Sequence, residues 1–555
     1  MSNQLYSGQG RDINVFAGQS LAVSSITGAY TATIIAGAGI GTALATDSTG
    51  GATYGPYSGG VTIRLKSGEG GLIDYEAAVS PVLNYAGPLN AGYNQSGDTS
   101  SMVDGGGNAY PLYPNARVVN DGVALYDATS TASASSVVGS VSAAFTAADV
   151  GKVCVVIPYT DSGLTPRWGT IVSVESATSC TTSLSGSPGA LTGATFIYGT
   201  DNGAAIDAAL ASAGAAATKG VVILPLGITM STLLHVVPSG VILGGVSNNP
   251  TGGKAKDFKH YGSSLVAAKA TAGAFVTLGS FGAADPRGSH LRNLNVDCMN
   301  LTTQCVSGDG GRTSHVFSCT LVRGIQETYK GGPTSRLMFS VFMGQNAYNT
   351  VQLSGDSTML YNIVTGAGNG YYGIKTSNGD DIQIAHNHIW KDSSASAMLG
   401  GSIWLSHFSG TTSGSVNVNN NKCDTNYGSA IKLTISGTST QVRAINIHGN
   451  DCFNNDAVTN DTGPVIELSV AATCVLKGLS IQANTGRGSW NNQSLGQWAS
   501  FIDGSAIAGN IYGSVVGGNV IANCNALYAT FTPDHDNGNI TIAGSGTTQT
   551  KSTTT

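Results

Sequence analysis

One pattern constrains this chain of 555 residues more than any other. An apolar residue is followed by two residues, a small residue or asparagine, one residue, and a second apolar residue. It occurs at Val316-Cys319-Leu321, Leu337-Ser340-Phe342, Met359-Asn362-Val364, Ile384-Asn387-Ile389, Val418-Asn421-Cys423, Ile447-Asn450-Cys452 and Val516-Asn519-Ile521, with a shorter match at Ile481-Asn484. The first positions lie 21, 22, 25, 34, 29, 34 and 35 residues apart. A recurrence of this length marks a solenoid. Unequal spacing suits coils that keep a fixed strand core and vary their loops. Asparagine at one position of successive coils is expected to form an inward ladder, each side-chain amide bonding the backbone of the next turn. That role is structural and supplies no ligand set.

Composition agrees with an all-β chain. Glycine numbers 77, while charged residues make up 10%, against a usual share of about 25%. The glycines keep no three-residue period and prolines number only 15, which excludes collagen. A hydrophobic share of 41% with a net charge of -6 excludes general disorder. No dense Lys/Arg stripe is present, so nucleic acid is not expected as a partner. The longest weakly apolar stretch, near Ala36 to Ala45, is short and broken by glycine, so no membrane insertion is expected. The opening MSNQLYSGQGRDINVF lacks a basic segment followed by an apolar one, and is not expected to act as a signal peptide. Nine scattered cysteines contain no CxxC pair, so reduced thiols are expected and neither a metal nor a cofactor is called for. The GAGIG and GDGG stretches are turns, because they do not follow a strand and open a helix as a dinucleotide site requires.

Five segments follow from the text. Residues 1–95 alternate apolar and polar residues between glycine-rich turns, as in a small β-sandwich. Residues 96–115 are a Gly/Ser/Pro-rich linker. Residues 116–198 form a small β module with strands in GKVCVVIPY, WGTIVSVESATSC and ATFIYG. Residues 199–524 open with TDNGAAIDAALASAGAA, an amphipathic helix with Asp201 as N-cap and Ile206, Ala209 and Leu210 on one face, and continue as the coil. Residues 525–555 are a polar, Thr-rich tail, either frayed or supplying strands exchanged between subunits.

The helix followed by GVVILPLGITM and SGVILGGV resembles the entry to a pectate-lyase-like right-handed parallel β-helix. The preceding FTAADVGKVCVV, TIVSV and ATFIYGTDNGAAI resemble a small module spliced before that helix. The whole layout resembles a bacteriophage tailspike or tail fibre. That resemblance implies assembly in the host cytoplasm into a virion, attachment to a phage tail or baseplate protein through the N-terminal unit, and a homotrimer. It further implies recognition, and often depolymerisation, of bacterial surface polysaccharide. A non-enzymatic adhesin or structural tail protein shares the layout, and a secreted polysaccharide lyase shares the coil.

Phase arithmetic nominates a site. Hydrolysis of a glycosidic bond uses two carboxylates, about 5 Å apart for retention or 6.5 to 9.5 Å for inversion. Elimination from a uronate uses a base and a group that neutralises the sugar carboxylate. Asp356 precedes Met359 by three residues, as Asp381 precedes Ile384, so the two share a phase in neighbouring coils, with Asp380 beside the second. Two readings fit them: a hydrolytic pair, or turn residues bonding local N–H groups. Glu327 and Glu467 are the only glutamates after residue 200, and Glu327 joins the catalytic candidates, as a solvated loop charge otherwise. His388 is a candidate base or sugar contact. Tyr371, Tyr372, Trp390 and Trp404 are candidate stacking surfaces for sugar rings, with core packing as the competing use. Trp490, Trp498 and Asp392 lie on neighbouring loops.

Overall fold

The chain is described by a computed structural model with two compact units, Met1–Leu112 and Tyr113–Thr555. The described residues are the strands between 3 and 111 with residue 42, and 118–542 except 131–135, 158–164, 187–189, 217–218, 249–254, 256–257, 280–287, 309–313, 345–347, 367–370, 378–379, 391–399, 407–413, 426–427, 438–439, 455–462, 488–497, 523–527, 532 and 538.

The first unit contains two four-stranded antiparallel sheets. Alternation drives them: Tyr30, Ala32 and Ile34 are buried along one strand, and Ile63 and Leu65 flank an exposed Arg64 on its neighbour. The segment read as a linker carries a short antiparallel pair, Ser101–Val103 with Ala109–Pro111.

In the second unit, the module after the linker closes on itself. Its strands Val123–Ser130, Val137–Gly139, Ser179–Thr182, Arg167–Ser176, Val153–Ile157 and Leu191–Gly199 form a barrel, rather than an open sandwich. Closure removes the sheet edges, and Phe145, Phe196 and Tyr198 fill the interior with tilted and edge-on ring contacts. The helix Gly203–Ala215 follows and buries Ile206, Ala209, Leu210 and Ala213 against the first coil. Its N-cap residue is Asn202 rather than Asp201. The Asn202 carboxamide is turned to the barrel side, where it accepts the Val119 N–H at 2.7 Å, and Asp201 accepts the N–H groups of Gly203 and Thr232.

From Val221 the chain winds as the parallel β-helix expected from the repeat. Each coil gives one strand to each of three parallel sheets, which begin at Val221–Leu224, Gly227–Ser231 and His235–Val237. The repeat positions stack. Val316, Leu337, Met359, Ile384, Val418, Ile447, Ile481 and Val516 are successive partners in the first sheet. Leu321, Phe342, Val364, Ile389, Cys423 and Cys452 continue one another in the second. Gly486 takes the next place in that column, and a Cβ there would meet Phe501 and Val465 at 3.0 Å. This explains why the match at Ile481-Asn484 stops short: Phe501 fills the space from the other side of the lumen.

From Ser318 to Gly518 the corner between the first and second sheets is the same in each coil, whereas the second coil makes a longer excursion there between Gly245 and Ser263. One residue takes the left-handed conformation (Ser318, Phe339, Tyr361, His386, Asn420, Gly449, Ala483 and Gly518), and the next turns its side chain inward. Asn421 shows the bonding. Its Oδ1 accepts from the backbone N–H and the Nδ2 of Asn387, both at 3.0 Å, and its Nδ2 donates to the Ile384 carbonyl and to Asn450 Oδ1, both at 2.9 Å. The ladder therefore ties each asparagine to the backbone of the preceding coil rather than the following one. Asn421→Leu strands two donors and a carbonyl in the lumen, at about 1 to 3 kcal/mol for each unsatisfied group. Thermal unfolding of that variant is expected to fall by several degrees. An unchanged melting temperature would mean that the ladder contributes nothing.

The coil does not stop at 524. Tyr528–Ala529, His535–Asn537 and Ile540–Ile542 pair in parallel with the three sheets, and Asn519 Nδ2 donates to Asn539 Oδ1 at 2.8 Å. Residues first read as a tail thus build another coil. Eight cysteines are buried free thiols; Cys524 lies outside the described residues.

A buried ionic knot ties the barrel to the early coils. Arg323, held at φ 62°, donates from Nε to Asp297 Oδ1 at 2.9 Å and from Nη2 to Oδ2. His260 Nε2 lies 2.8 Å from the same Oδ2, and Tyr126 of the barrel reaches His260 Nδ1 at 3.1 Å. A carboxylate only accepts, so Nε2 carries the proton and Nδ1 takes the phenol's hydrogen. Burial alone would raise the Asp297 carboxyl, but Arg323 and His260 outweigh it and hold it well below the usual range.

Candidate functional site

The nominated residues fall in three places. Asp356, Asp380 and Asp381 lie in the turn that enters the first sheet. The register Thr358 to Gln383 confirms that Asp356 and Asp381 share a phase. Asp381 Oδ1 accepts the Ser415 N–H at 2.9 Å, and Asp380 Oδ1 accepts that of Gly414. Each gives one oxygen to the backbone of the following coil, as a turn residue does. His388 and Trp390 stand on the second sheet, in His388–Trp390. Glu327, Tyr371, Tyr372 and Trp404 gather at the third sheet.

The third sheet carries one continuous outward column. Its partners in successive coils are Lys330, Gln352, Lys375, Trp404, Lys432, Glu467 and Asp503. Inward neighbours such as Val351, Ile374, Ile403, Ile431 and Ile466 fix it, because a strand residue faces out wherever its two neighbours fill the lumen. Lys375 Nζ lies 4.1 Å from the centroid of the Trp404 ring and Lys432 Nζ 5.9 Å from it. The indole Nε1 donates to Thr434 Oγ1 at 3.0 Å, which fixes the ring. Lys432 Nζ then reaches Glu467 Oε1 at 2.7 Å, and Ser429 Oγ donates to Glu467 Oε2 at 2.6 Å. Burial lowers the Lys375 ammonium's pKa, and Glu327 opposes that shift.

Several expectations change here. Glu327 is not a solvated loop charge: it is buried, with Oε2 accepting from Gln304 Nε2 at 3.2 Å. Tyr372 is 5% exposed and packs its ring 5.5 Å from that of Trp404, so it supports the indole from beneath and offers no face to a sugar. Tyr371 stacks on Tyr348 at 5.5 Å. Trp498 is a core residue whose Nε1 donates to the Arg487 carbonyl at 3.0 Å. Trp490 and Asp392 lie outside the described residues.

The second sheet holds another charged group. His388 Nε2 lies 3.1 Å and Lys422 Nζ 3.2 Å from Asp424 Oδ2, with an Arg487–Asp451 pair in the coils beyond. Burial would raise the Asp424 carboxyl, yet His388 and Lys422 hold it below its ordinary value. An imidazole oriented by a carboxylate is the arrangement of a general base. Beside it, the left-handed corners form a ridge. Phe339 and Tyr361 stack at 5.3 Å, and Tyr361 and His386 at 4.8 Å, with Phe339 49% and Tyr361 50% exposed. The left-handed backbone costs a bulky residue about 1 to 2 kcal/mol, which ring stacking of about 0.5 to 1.5 kcal/mol offsets. Asn420 and Gly449 serve the same corner elsewhere, so the coil itself does not require rings there.

No known family model matches the sequence, and no curated protein does. Among solved structures, the chain is similar to DFA-IIIase from Arthrobacter chlorophenolicus A6 in complex with GF2, at 14% identity, covering 59% of this chain and 84% of that one with a TM-score of 0.36. The same enzyme without its lid gives 14% identity, 62% and 91% coverage and a TM-score of 0.35. PfbA, a surface adhesin of Streptococcus pneumoniae, gives 12% identity, 59% and 87% coverage and a TM-score of 0.34.

Proposed function

We propose that the coil binds a polysaccharide along the outer face of its third sheet and hydrolyses it at Glu467 and Asp503. The observation that carries this reading is the column running from Lys330 through Trp404 to Asp503, in which cations, an amide and an indole lead to two carboxylates on adjacent strands. Adjacent strands stand about 4.8 Å apart, which suits the separation of about 5 to 5.5 Å used for retention. Glu467, held in place by Lys432 and Ser429, serves as nucleophile. Asp503, on the adjacent strand with Oδ1 on the Ser505 N–H at 2.8 Å, is the second carboxylate of the pair. Trp404, with Lys375 over its ring, sets an indole among hydrogen-bonding groups, a composition used in sugar sites.

In this reading the chain is the receptor-binding spike of a phage tail, its target is bacterial surface polysaccharide, and its first unit joins a tail or baseplate protein. The order of segments supports that part: a small antiparallel unit, a linker, a barrel and a long coil. A homotrimer belongs to the same reading. The test is incubation of the full chain with polysaccharides from candidate hosts, reading new reducing ends together with the ultraviolet absorbance of an unsaturated uronate. Reducing ends without absorbance are expected. Absorbance would overturn hydrolysis and point to elimination, with His388 and Asp424 as base and orienting carboxylate. Binding without fragments would make the protein an adhesin.

A further inference from the structure

We infer that the outer face of the first sheet binds a doubly charged oxyanion of the phosphate type between Arg292 and Arg336, beside His290 and His315. The site stands apart from the third-sheet column and does not depend on it. Leu291, Val316 and Leu337 stack in the lumen, so the residues on either side of them face outward. His290, His315 and Arg336 form one outward column over three successive coils, and Arg292, Phe317 and Met338 form the other. The two arginines therefore stand at diagonal corners, one on each side of the strand His315–Phe317. An anion over that middle strand receives a guanidinium from each side, with the imidazoles along one edge and the Phe317 ring along the other. Arg336 is exposed and the other three are half-buried, so the site opens to solvent.

The four side chains crowd basic groups together. The His290 and His315 rings lie 4.4 Å apart, Arg292 Nη2 donates to His290 Nδ1 at 3.4 Å, and the Arg292 guanidinium is 5.9 Å from the centroid of Phe317. No ion pair joins any of the four to a carboxylate among the described residues. Burial, then Arg336 and Arg292, push the His315 imidazole down to about 4. Burial, then His315 and Arg292, push that of His290 down to about 3. Both rings are therefore neutral at neutral pH, and the guanidiniums carry the charge. Arg292 Nε and His315 Nε2 are buried and have no hydrogen-bond partner among the described residues. Buried polar atoms are normally paired, because an unmade bond is costly. A phosphate-type ion offers acceptors to both atoms and two negative charges to two guanidiniums, whereas a single carboxylate offers half that charge.

The test is calorimetric titration and thermal unfolding of the full chain with inorganic phosphate, a hexose 1-phosphate, galacturonate, and sodium chloride at matched ionic strength. One phosphate per chain is expected, with a rise in melting temperature that chloride does not give. Galacturonate is expected to bind about tenfold more weakly. Arg292→Gln and Arg336→Gln are each expected to weaken phosphate binding by at least about tenfold, the loss of one charge-assisted contact. Without anion, both variants are expected to melt no lower than the native chain, because each removes a like charge from the cluster. Tighter binding of the hexose 1-phosphate than of inorganic phosphate assigns the site to a phosphorylated sugar, and equal or weaker binding assigns it to the free ion. Chloride acting as strongly as phosphate, or unchanged binding in Arg336→Gln, would overturn the site. Galacturonate binding as tightly as phosphate would overturn the doubly charged ligand. A lower melting temperature in both variants without anion would make the arginines structural and sink the proposal.

Discussion

Replacing Arg323 with methionine is expected to destabilise the early coils by about 3 to 5 kcal/mol, the cost of breaking a buried ion pair from one side. The change leaves Asp297, fully buried, with a negative charge and only a neutral imidazole against it. The loss should show first as faster hydrogen exchange across 295–323, because neighbouring coils share their stability only in part. Its pH dependence identifies the cause. In the native protein the depressed Asp297 carboxyl contributes stability above its ordinary pKa of about 3.9, and that contribution disappears only as pH falls through its lower folded value. In the variant, protonation of His260 supplies the missing cation. The deficit should therefore shrink as pH falls, and burial, which holds this imidazole below histidine's ordinary range, sets that recovery on the acidic side. A deficit under 1 kcal/mol, or one indifferent to pH, would mean that the knot is dispensable packing.

Glu467→Gln is expected to lower turnover by at least about a hundredfold, the low end for a lost proton-transfer group or nucleophile. Binding should persist, because the amide still accepts from Ser429 and the rest of the column is untouched. Asp503→Asn should give a loss of similar size. Asp356→Asn and Asp381→Asn should leave turnover within a few fold, since both stand in the turn before the first sheet and outside the third-sheet column. The opposite pattern, loss at Asp356 and Asp381 with Glu467→Gln active, would move the chemistry to the turn entering the first sheet. Single-turnover assays at saturating glycan separate chemistry from binding in each variant.

The coil was legible because its shortest corner is also its most constrained. Two residues separate the first sheet from the second, so the spacing from Ile384 to Asn387 to Ile389 cannot vary without breaking a ladder bond. The third sheet has no such anchor. Twelve residues lead from Asn362 to Ile374 but 16 from Asn387 to Ile403, so counting from the ladder does not bring Lys375 and Trp404 into one column. In the sequence Glu467 stands out only by its rarity and Asp503 not at all, because their shared phase appears only once the strands are paired. The pairing of Asp356 with Asp381 was readable for the converse reason: both lie a fixed three residues ahead of a ladder strand. The coil at 528–542 leaves no apolar signature in the sequence because its residues are polar, although Asn539 continues the ladder. The ridge of Phe339, Tyr361 and His386 was hidden by a conformation that bulky residues rarely adopt.

The unequal freedom of the corners decides where this molecule tolerates new sequence. One residue inserted between the first and second sheets would turn the inward asparagine toward solvent and shift every strand after it out of register. An insertion of any length after the second or third sheet leaves the ladder bonds intact and merely enlarges a loop beside the outer faces. Loop-closure entropy grows only slowly with length, by about 0.6 kcal/mol for each doubling. Lineages of such a chain can therefore exchange whole loops and acquire new ligands while the scaffold stays constant, and within the ladder coils variation in length should accumulate at two corners and be purged from the third; the one long excursion at that corner, between Gly245 and Ser263, comes before the ladder begins.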